Sequence, residues 1–214
     1  MKRTEQKLQT RQRILVAAGR GFRKGGFGGI GVDGLAKEAG VTSGAFYKHF
    51  DSKATAFREA VVEGMSDLKT GVRFFQSEHG DAWWPAFVSF YLSDKLHCDL
   101  AESCALQSLP PEVARADSTS RAAFEAELVE VAKLVANGPA ANDAPTSYEA
   151  AWTALATLVG TVTLARAVDN PAIAKQISGA AEKLLLPSQA KAQSLAKSPT
   201  KAPSKLSKAP SRTR

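Results

Sequence analysis

Donor groups suited to phosphate oxygens are concentrated in one short stretch of the sequence. Tyr47 carries a hydroxyl, His49 a ring N–H, and Lys48 and Lys53 each carry an ammonium group. Such groups bind phosphate oxygens in protein–nucleic acid contacts. The small residues 42–45 (Thr-Ser-Gly-Ala) come just before them, where a base edge could approach closely. These residue types therefore indicate binding to a polyanion.

Two short helices joined by a tight turn are predicted to position these side chains. We expect the first helix over Val32 to Ala39 and the second over Ser43 to His49, with Thr42 as the N-terminal cap of the second. Gly40 permits the chain reversal between the two helices, because glycine adopts the left-handed conformation easily. This arrangement is a helix-turn-helix unit, whose second helix can enter a DNA major groove. An ordinary helical hairpin with a solvated outer face is the alternative.

The outer face of the second helix follows from its buried side. Phe46 and Phe50 lie four residues apart, so both are predicted to face the core. The side chains left facing outward are Ser43, Ala45, Tyr47, Lys48 and His49.

With these residues in place, the sequence from about 10 to 57 resembles the N-terminal domain of the TetR family of bacterial transcriptional regulators. The resemblance is carried by Gly40-Val41-Thr42, Gly44, Phe46-Tyr47, His49-Phe50 and Ser52-Lys53. It implies that phosphates are held by Thr42, Tyr47, His49 and Lys53. It also implies that bases are read by Ser43, Ala45 and Lys48, with a contribution from Tyr47; Gly44 completes this candidate DNA-binding set. Gly31 departs from the family pattern, which more often has Ser or Thr there, but glycine is an acceptable cap.

The whole chain is predicted to be helical. Apolar residues recur with a period of 3.6 and no segment alternates like a strand, so the expected fold class is all-α. We expect an N-terminal three-helix helix-turn-helix domain followed by a larger helical ligand-binding and dimerisation domain. The expected divisions are a basic arm over 1–9, the helix-turn-helix domain over 10–57, the larger domain over 58–187 and a disordered basic tail over 188–214.

Local signals predict where several helices begin and end. The first helix is expected from Thr10 to Lys24, stopped by Gly25-Gly26, and Pro110-Pro111 is interpreted as a break. Thr146 with Glu149 three residues later is a capping-box signature. Asp51-Ser52 is interpreted as a break that caps the helix beginning near Lys53. Asn170-Pro171 is typical of a cap followed by the first residue of a helix.

Charge is distributed unevenly along the chain. Residues 1–60 hold 12 Lys and Arg against 5 Asp and Glu, residues 61–187 hold 9 against 16, and residues 188–214 hold 7 against none. The two ends are therefore expected to contact a polyanion, and the acidic middle part must do something else. The tail either lies along DNA and adds non-specific affinity or serves only as a solubilising extension.

Other features exclude several classes of protein. No stretch reaches the roughly 18 apolar residues that span a bilayer, and the charged N-terminus lacks the apolar core of a signal peptide. We therefore expect a cytoplasmic, nucleoid-associated bacterial protein with no membrane contact. Cys98 and Cys104 are too few for a disulfide framework and lack the spacing of a zinc site, so no metal and no cofactor are expected.

The resemblance implies a small-molecule pocket in the larger domain. The candidates are mainly aromatic side chains, and each of them is also a good core residue: Trp83, Trp84, Phe87, Tyr91, His97, Cys104, Phe124 and Trp152. Cys98 or Cys104 could sense an oxidant or electrophile, with His97 beside Cys98; a buried cysteine acting as a small hydrophobe is the alternative.

The resemblance also implies a dimer interface made of two helices from each subunit. Small residues at 151, 154, 157, 160 and 161 would allow close helix approach, and the last helix adds Ile173, Ile177, Leu184 and Leu185. A monomeric core of the same composition is the alternative.

These expectations combine into one leading function. The sequence predicts a regulator, by family habit a repressor, that binds a palindromic operator in double-stranded DNA as a homodimer and responds to a small-molecule effector. The alternative is an architectural protein that coats DNA through the helix-turn-helix unit and the basic tail. An enzyme using Cys98 or Cys104 with His97 is not expected, because adjacent side chains point in different directions and no Gly-rich phosphate loop is present.

Overall fold

The computed structural model describes residues 3–188 as an all-helical protein. Within that part of the chain, ten α-helices and two short 3-10 turns, Gly80–Ala82 and Leu100–Glu102, occur without any β-strand. The helices are α1 (Arg3–Gly29), α2 (Val32–Glu38), α3 (Ser43–Tyr47), α4 (Lys53–Glu78), α5 (Trp83–His97), α6 (Ala105–Ser108), α7 (Pro110–Ala114), α8 (Ser118–Ala136), α9 (Tyr148–Arg166) and α10 (Pro171–Leu185). The predicted all-α fold class is confirmed.

Helix α1 is longer than the sequence pattern indicated. It begins at Arg3 rather than Thr10, so most of the segment interpreted as an arm is its first turns. The expected stop at Gly25-Gly26 is a break inside the helix, because Gly26 has φ 72° and the next residues return to helical geometry. The positive φ is what favours glycine at this position, and the flexible side chain of Glu112 from α7 lies beside it.

Three predicted caps are confirmed and two interpretations are corrected. Thr42, Ser52 and Asn170 each accept a hydrogen bond from a backbone N–H in the first turn of their helix. The cap of α9 is Ser147, one residue later than the predicted Thr146. Pro110 begins α7 instead of breaking the chain, since proline at the first helical position loses no hydrogen bond.

Two hydrophobic cores pack against α4, one at its N-terminal part and the other farther along the helix. The first core joins α1–α3 to the start of α4 and includes Phe22, Leu35 and Phe57. We call these elements the head. The second core lies among the rest of α4, α5 and α8–α10, which we call the body, and includes Trp83 and Trp84. The predicted domain division at residues 57 and 58 falls inside α4, which is continuous across it.

The short helices α6 and α7 come from the body side of the sequence but pack on the head. Ala105, Leu109 and Val113 are buried in the head core. Helices α4 and α6 approach so closely that a Cβ at Gly64 would lie 2.6 Å from the Cβ of Ala105. The head is therefore held to the body by more than the chain of α4.

The C-terminal end of the described chain is tied to the body. Ser188 donates from its backbone N–H (3.2 Å) and its hydroxyl (2.7 Å) to the carboxylate of Asp143. The remainder of the predicted tail, residues 189–214, lies outside the described residues. None of the helices in residues 3–188 has the length and apolar character that a bilayer crossing requires.

The Gly64 contact generates a stability prediction. We expect Gly64→Ala to lower the free energy of unfolding by roughly 1–2 kcal/mol, because overpacking against Ala105 costs about 1–3 kcal/mol while better helix propensity returns up to about 1 kcal/mol. Gly71→Ala in the same helix is the matched control, since a Cβ there meets nothing within 4 Å. Urea unfolding of both variants measures the difference; equal stabilisation by the two alanines would contradict the close packing.

Candidate nucleic-acid interface and internal cavity

The turn between α2 and α3 has the predicted glycine geometry. Gly40 has φ 65°, and the reversal is closed by the backbone N–H of Val41, which donates to Ala36 O at 2.9 Å. Thr42 then caps α3, with its hydroxyl oxygen accepting from the N–H of Ala45 at 3.1 Å. The backbone groups that the turn frees are thus satisfied locally, which fixes the angle between α2 and α3.

The buried side of α3 is aromatic, as predicted. Phe46 and Phe50 are fully buried with ring centroids 5.6 Å apart. The guanidinium group of Arg11, from α1, lies 4.7 Å from the centre of the Phe50 ring and forms an ion pair with Glu59 of α4. Helix α3 is therefore anchored to both of its neighbours in the head.

The opposite side of α3 is open to solvent. Tyr47 is 57 % exposed, Lys48 is exposed, and Gly44 is exposed at the first turn. A Cβ at Gly44 would meet only the Thr42 hydroxyl, at 3.9 Å, so no packing inside the chain requires glycine there. The hydroxyl of half-buried Ser43 instead donates to Asp33 of α2, while Ala45 is half-buried.

His49 lies at the edge of this exposed face in a positive environment. Its Nδ1 is buried without a hydrogen-bond partner. Burial lowers the pKa of His49 below its usual value, and the positive charges of Lys7, Arg11 and Lys48 lower it further. Cations that disfavour a protonated imidazole also attract an anion, so a phosphate group would be stabilised at this edge.

Lys53, the last predicted phosphate ligand, is engaged inside the head. Its ammonium group donates to the backbone carbonyl of Phe27 and lies 4.4 Å from the centre of the Phe27 ring. The other seven predicted DNA-binding residues belong to α3 or flank it directly in the sequence. Contact between any of these eight side chains and DNA stays a prediction.

A cavity of about 290 Å³ lies where α1, α4, α5 and α6 meet. Three predicted ligand-binding residues line it: Phe87, Tyr91 and Cys104. Its other walls include a linked set of aromatic rings, with Phe75 centred 5.6 Å from Phe87 and 5.3 Å from Phe90. Charged walls come from Arg23, Asp67, Lys95 and Glu102. The sequence analysis missed all four charged residues, because they come from three separate helices and the turn at 100–102.

Several polar groups at this cavity are buried without a full set of hydrogen-bond or ion-pair partners. The Tyr91 hydroxyl is buried without a hydrogen-bond partner, and burial raises the pKa of Tyr91 well above its usual value. Burial also lowers the pKa of Arg23, against the attraction of Glu102 and Asp67. It raises the pKa of Asp67, an effect to which Glu63 adds. Unpaired buried polar groups are costly unless something binds them.

The other predicted pocket residues have structural positions outside this cavity. Trp83 and Trp84 are fully buried in the body core and donate their indole N–H groups to Pro139 O and Leu185 O. Trp152 packs edge-to-face on Tyr148, and half-buried Phe124 contacts both cores. His97 is exposed at the end of α5. The size of Trp83, Trp84, Phe124 and Trp152 suits them to packing at the cores, which was the alternative interpretation of the aromatic residues.

The two cysteines have different environments. Cys104 is buried beside Tyr91, and burial raises the pKa of its thiol, so the group is protonated at neutral pH. Cys98 is half-buried, with its sulfur 3.2 Å from the Arg166 guanidinium. Since nucleophilic reactivity belongs to the thiolate, the surroundings of Cys104 favour an unreactive thiol.

A broader groove of about 890 Å³ runs along the outer side of α1. Its lining includes Arg13, Arg20, Lys24 and Glu38, all of them solvent-exposed. The groove is a charged surface feature without a buried unpaired group, so the smaller cavity is the better candidate for a ligand site.

Comparison with known proteins identifies the head. Residues 14–60 match the family model for bacterial regulatory proteins of the tetR family. The head is a TetR-family DNA-binding domain. The matched residues all lie in the head, so the match supports DNA binding by this part of the chain. No curated protein matches the chain.

Solved structures with the same fold include three TetR-family or FadR regulators. A TetR-family regulator from Agrobacterium tumefaciens has 16% identity and a TM-score of 0.67, covering 83% of this chain and 97% of its own. One from Cytophaga hutchinsonii has 18% identity and a TM-score of 0.68, covering 84% and 94%. FadR from Bacillus subtilis, in complex with stearoyl-CoA, has 16% identity and a TM-score of 0.53, covering 82% and 97%. At these sequence identities, the comparison shows that the proteins share a fold and nothing further.

The environment of His49 generates a prediction about the pH dependence of DNA binding. A DNA phosphate beside the imidazole would raise its pKa, so binding takes up a proton and DNA affinity should increase as the pH falls from about 8 to about 6, by at most about tenfold per pH unit. The stability of the free protein changes in the opposite direction. Because His49 is protonated more readily in the unfolded state, the free energy of unfolding should decrease as the pH falls from about 8 to about 6.

Fluorescence anisotropy with a duplex that the protein retains measures the affinity. His49→Gln is the control, because glutamine keeps a hydrogen-bond donor without titrating. An equally steep pH dependence in that variant would show that another group takes up the proton.

Proposed function

We propose that this protein is a transcriptional repressor that binds a palindromic operator as a homodimer and is released by a small-molecule effector. The observation that carries the proposal is the exposed face of α3, with Tyr47 and Lys48 outward and two phenylalanines anchoring the opposite side. A short helix fixed by its buried rings and its cap presents this face rigidly. Rigid presentation is what major-groove recognition requires.

Two details of α3 support sequence reading beyond general attraction to DNA. The exposed Gly44 leaves room for a base pair or sugar to approach the helix backbone, since nothing in the chain occupies that space. Lys48 is long enough to reach the edge of a guanine, while Tyr47 and Thr42 offer hydroxyls to phosphates. Phosphate contacts fix the register in which the base-reading residues approach.

The outer faces of α9 and α10 support a homodimer. Leu164 is 59 % exposed and Leu184 is 64 % exposed, and Tyr148 and Ile173 are also exposed. A Cβ at Gly160 would meet nothing within the chain, so this part of α9 is free to pack against another helix. Two copies joined through these helices would form a four-helix interface and present two α3 helices to half-sites about 34–36 Å apart.

The cavity between head and body supports control by an effector. It lies beside α1, which also packs on the helix-turn-helix unit, so a bound molecule would affect both parts of the protein. FadR of Bacillus subtilis, which shares the fold, has been seen with stearoyl-CoA. The cavity of the present protein is near the small end of ligand pockets, which favours a compact effector.

Selection of genomic fragments tests operator recognition. At physiological salt, we expect the full chain to retain fragments that share a palindrome, with a preference over other DNA of about a thousandfold or more. Lys48→Ala should weaken binding to that palindrome by roughly tenfold or more, because one good base contact contributes about 1–3 kcal/mol. Arg121→Ala is the control, since Arg121 is exposed on α8 in the body.

The outcome separates two functions. Equal retention of all fragments, with no loss in the Lys48 variant, would favour the architectural alternative, in which the basic C-terminal segment supplies the affinity.

Sedimentation equilibrium tests the homodimer. We expect wild type to be a dimer at micromolar concentration and Leu184→Glu to be a folded monomer, because a charge would be buried at the interface while the side chain is exposed in the single chain. Phe74→Glu is the control, since Phe74 is also exposed but lies on α4. A dimer that survives Leu184→Glu and Leu164→Glu would place the interface elsewhere.

A further inference from the structure

The chemistry of the cavity wall restricts what the effector can be. The wall of the cavity combines the aromatic rings of Phe75, Phe87 and Phe90 with the polar side chains of Arg23, Lys95 and Tyr91. The Lys95 ammonium lies 5.8 Å from the centre of the Phe90 ring, so aromatic and cationic groups are neighbours in this wall. A molecule that contacts both kinds of group needs an apolar ring and a polar group. The volume of about 290 Å³ limits it to roughly one ring with small substituents.

The charged groups in the cavity lining are two cations, Arg23 and Lys95, and two carboxylates, Asp67 and Glu102. The Glu102 carboxylate is paired with Arg20, which lies outside the cavity. Lys95 donates to the backbone carbonyl of Glu102 at 3.0 Å, and Arg23 donates through Nε to the backbone carbonyl of Ala101 at 2.8 Å. Among the described residues, neither Arg23 nor Lys95 has a carboxylate within ion-pair distance. Glu102 is therefore shared with Arg20, and Asp67 is the other carboxylate in the cavity lining.

The position of Arg23 is built into the packing of the surrounding helices. A Cβ at Gly64 would lie 3.6 Å from Arg23 Nη1, and one at Gly19 would lie 3.2 Å from the same atom. The absence of side chains at these two glycines leaves space for the Arg23 guanidinium group beside α1 and α4. A planar guanidinium with free N–H groups matches the geometry of a carboxylate.

The Tyr91 hydroxyl supplies a second, independent indication of a polar ligand. It is buried, lines the cavity and has no hydrogen-bond partner. The neighbouring polar group is the Cys104 thiol, which is a weak hydrogen-bond partner for a hydroxyl. A carboxylate or phenol oxygen in the cavity would satisfy this hydroxyl.

We propose that the cavity binds a small monocyclic aromatic carboxylate, with its carboxylate on Arg23 and Lys95 and its ring against Phe75, Phe87 and Phe90. The inference rests on the proposed function, because it names the chemical class of the effector. It also gives Arg23 a particular role: this residue belongs to α1 of the head, so the ligand is held by the part of the protein that carries the DNA-binding face. Neutral or cationic rings of the same size leave Arg23 and Lys95 uncompensated and bind less well.

Fluorine NMR titration of the full-length protein tests the ligand class. The probes are 4-fluorobenzoate and 4-fluorobenzamide, which have the same shape and differ in charge. We expect the benzoate to bind at least about tenfold more tightly, the ratio for a charge-assisted contact of about 1.4 kcal/mol or more. Tyr91→Phe should weaken benzoate binding while raising the melting temperature of the free protein, because it removes a buried unpaired hydroxyl.

Variants at α1 separate recognition from overall charge. Arg23→Gln should reduce the preference for benzoate over benzamide to near one, whereas Lys24→Gln, which removes the same charge from the next, exposed residue, should keep it. Lys95→Gln provides a second test if Arg23→Gln does not fold. Equal affinity for both probes, no binding of either at a few millimolar, or an unchanged preference in both the Arg23 and Lys95 variants would overturn the inference.

Operator binding is measured on the same samples. A protein that selects its palindrome but does not distinguish the probes would overturn only the ligand class. A protein that selects no palindrome would overturn the proposed function, whatever its affinity for benzoate.

Discussion

The continuity of α4 is the constraint on which the rest of the structure depends. At about 1.5 Å per residue, its 26 residues span about 39 Å, with Phe57 and Val61 buried in the head core and Met65 and Val72 in the body core. One rigid element thus supplies part of both cores. The head cannot turn relative to the body unless α4 bends or its packing at one end is exchanged.

The contacts beside α4 make this constraint specific. Ala105 of α6 packs against Gly64, where a side chain would have no room, and the Glu112 side chain of α7 lies beside Gly26. The cavity lies next to the first of these contacts. A molecule entering it meets α1, α4, α5 and α6 together, and α1 and α4 also share the head core with Phe46 of α3. Coupling between cavity and DNA-binding face therefore needs no long path through the body.

Local chemistry explains what could be predicted from the sequence. The caps at Thr42, Ser52 and Asn170 and the turn at Gly40 depend on residues within a few positions of each other, so their signals are visible in the sequence. The start of α1 was missed because its first turns are exposed and carry no apolar period. The cavity was only partly predicted: aromatic residues on α5 suggested Phe87 and Tyr91, but Arg23 and Lys95 lie 72 positions apart in the sequence and meet only through tertiary packing.

The buried Tyr91 hydroxyl also has a consequence for the lifetime of the protein in the cell. A buried hydroxyl without a partner costs about 1–3 kcal/mol relative to a phenyl ring, which makes unfolded copies roughly 5–150 times more numerous. Proteases act on such copies, so occupancy of the cavity would slow degradation as well as change DNA affinity. The abundance of the regulator would then follow the concentration of its own ligand.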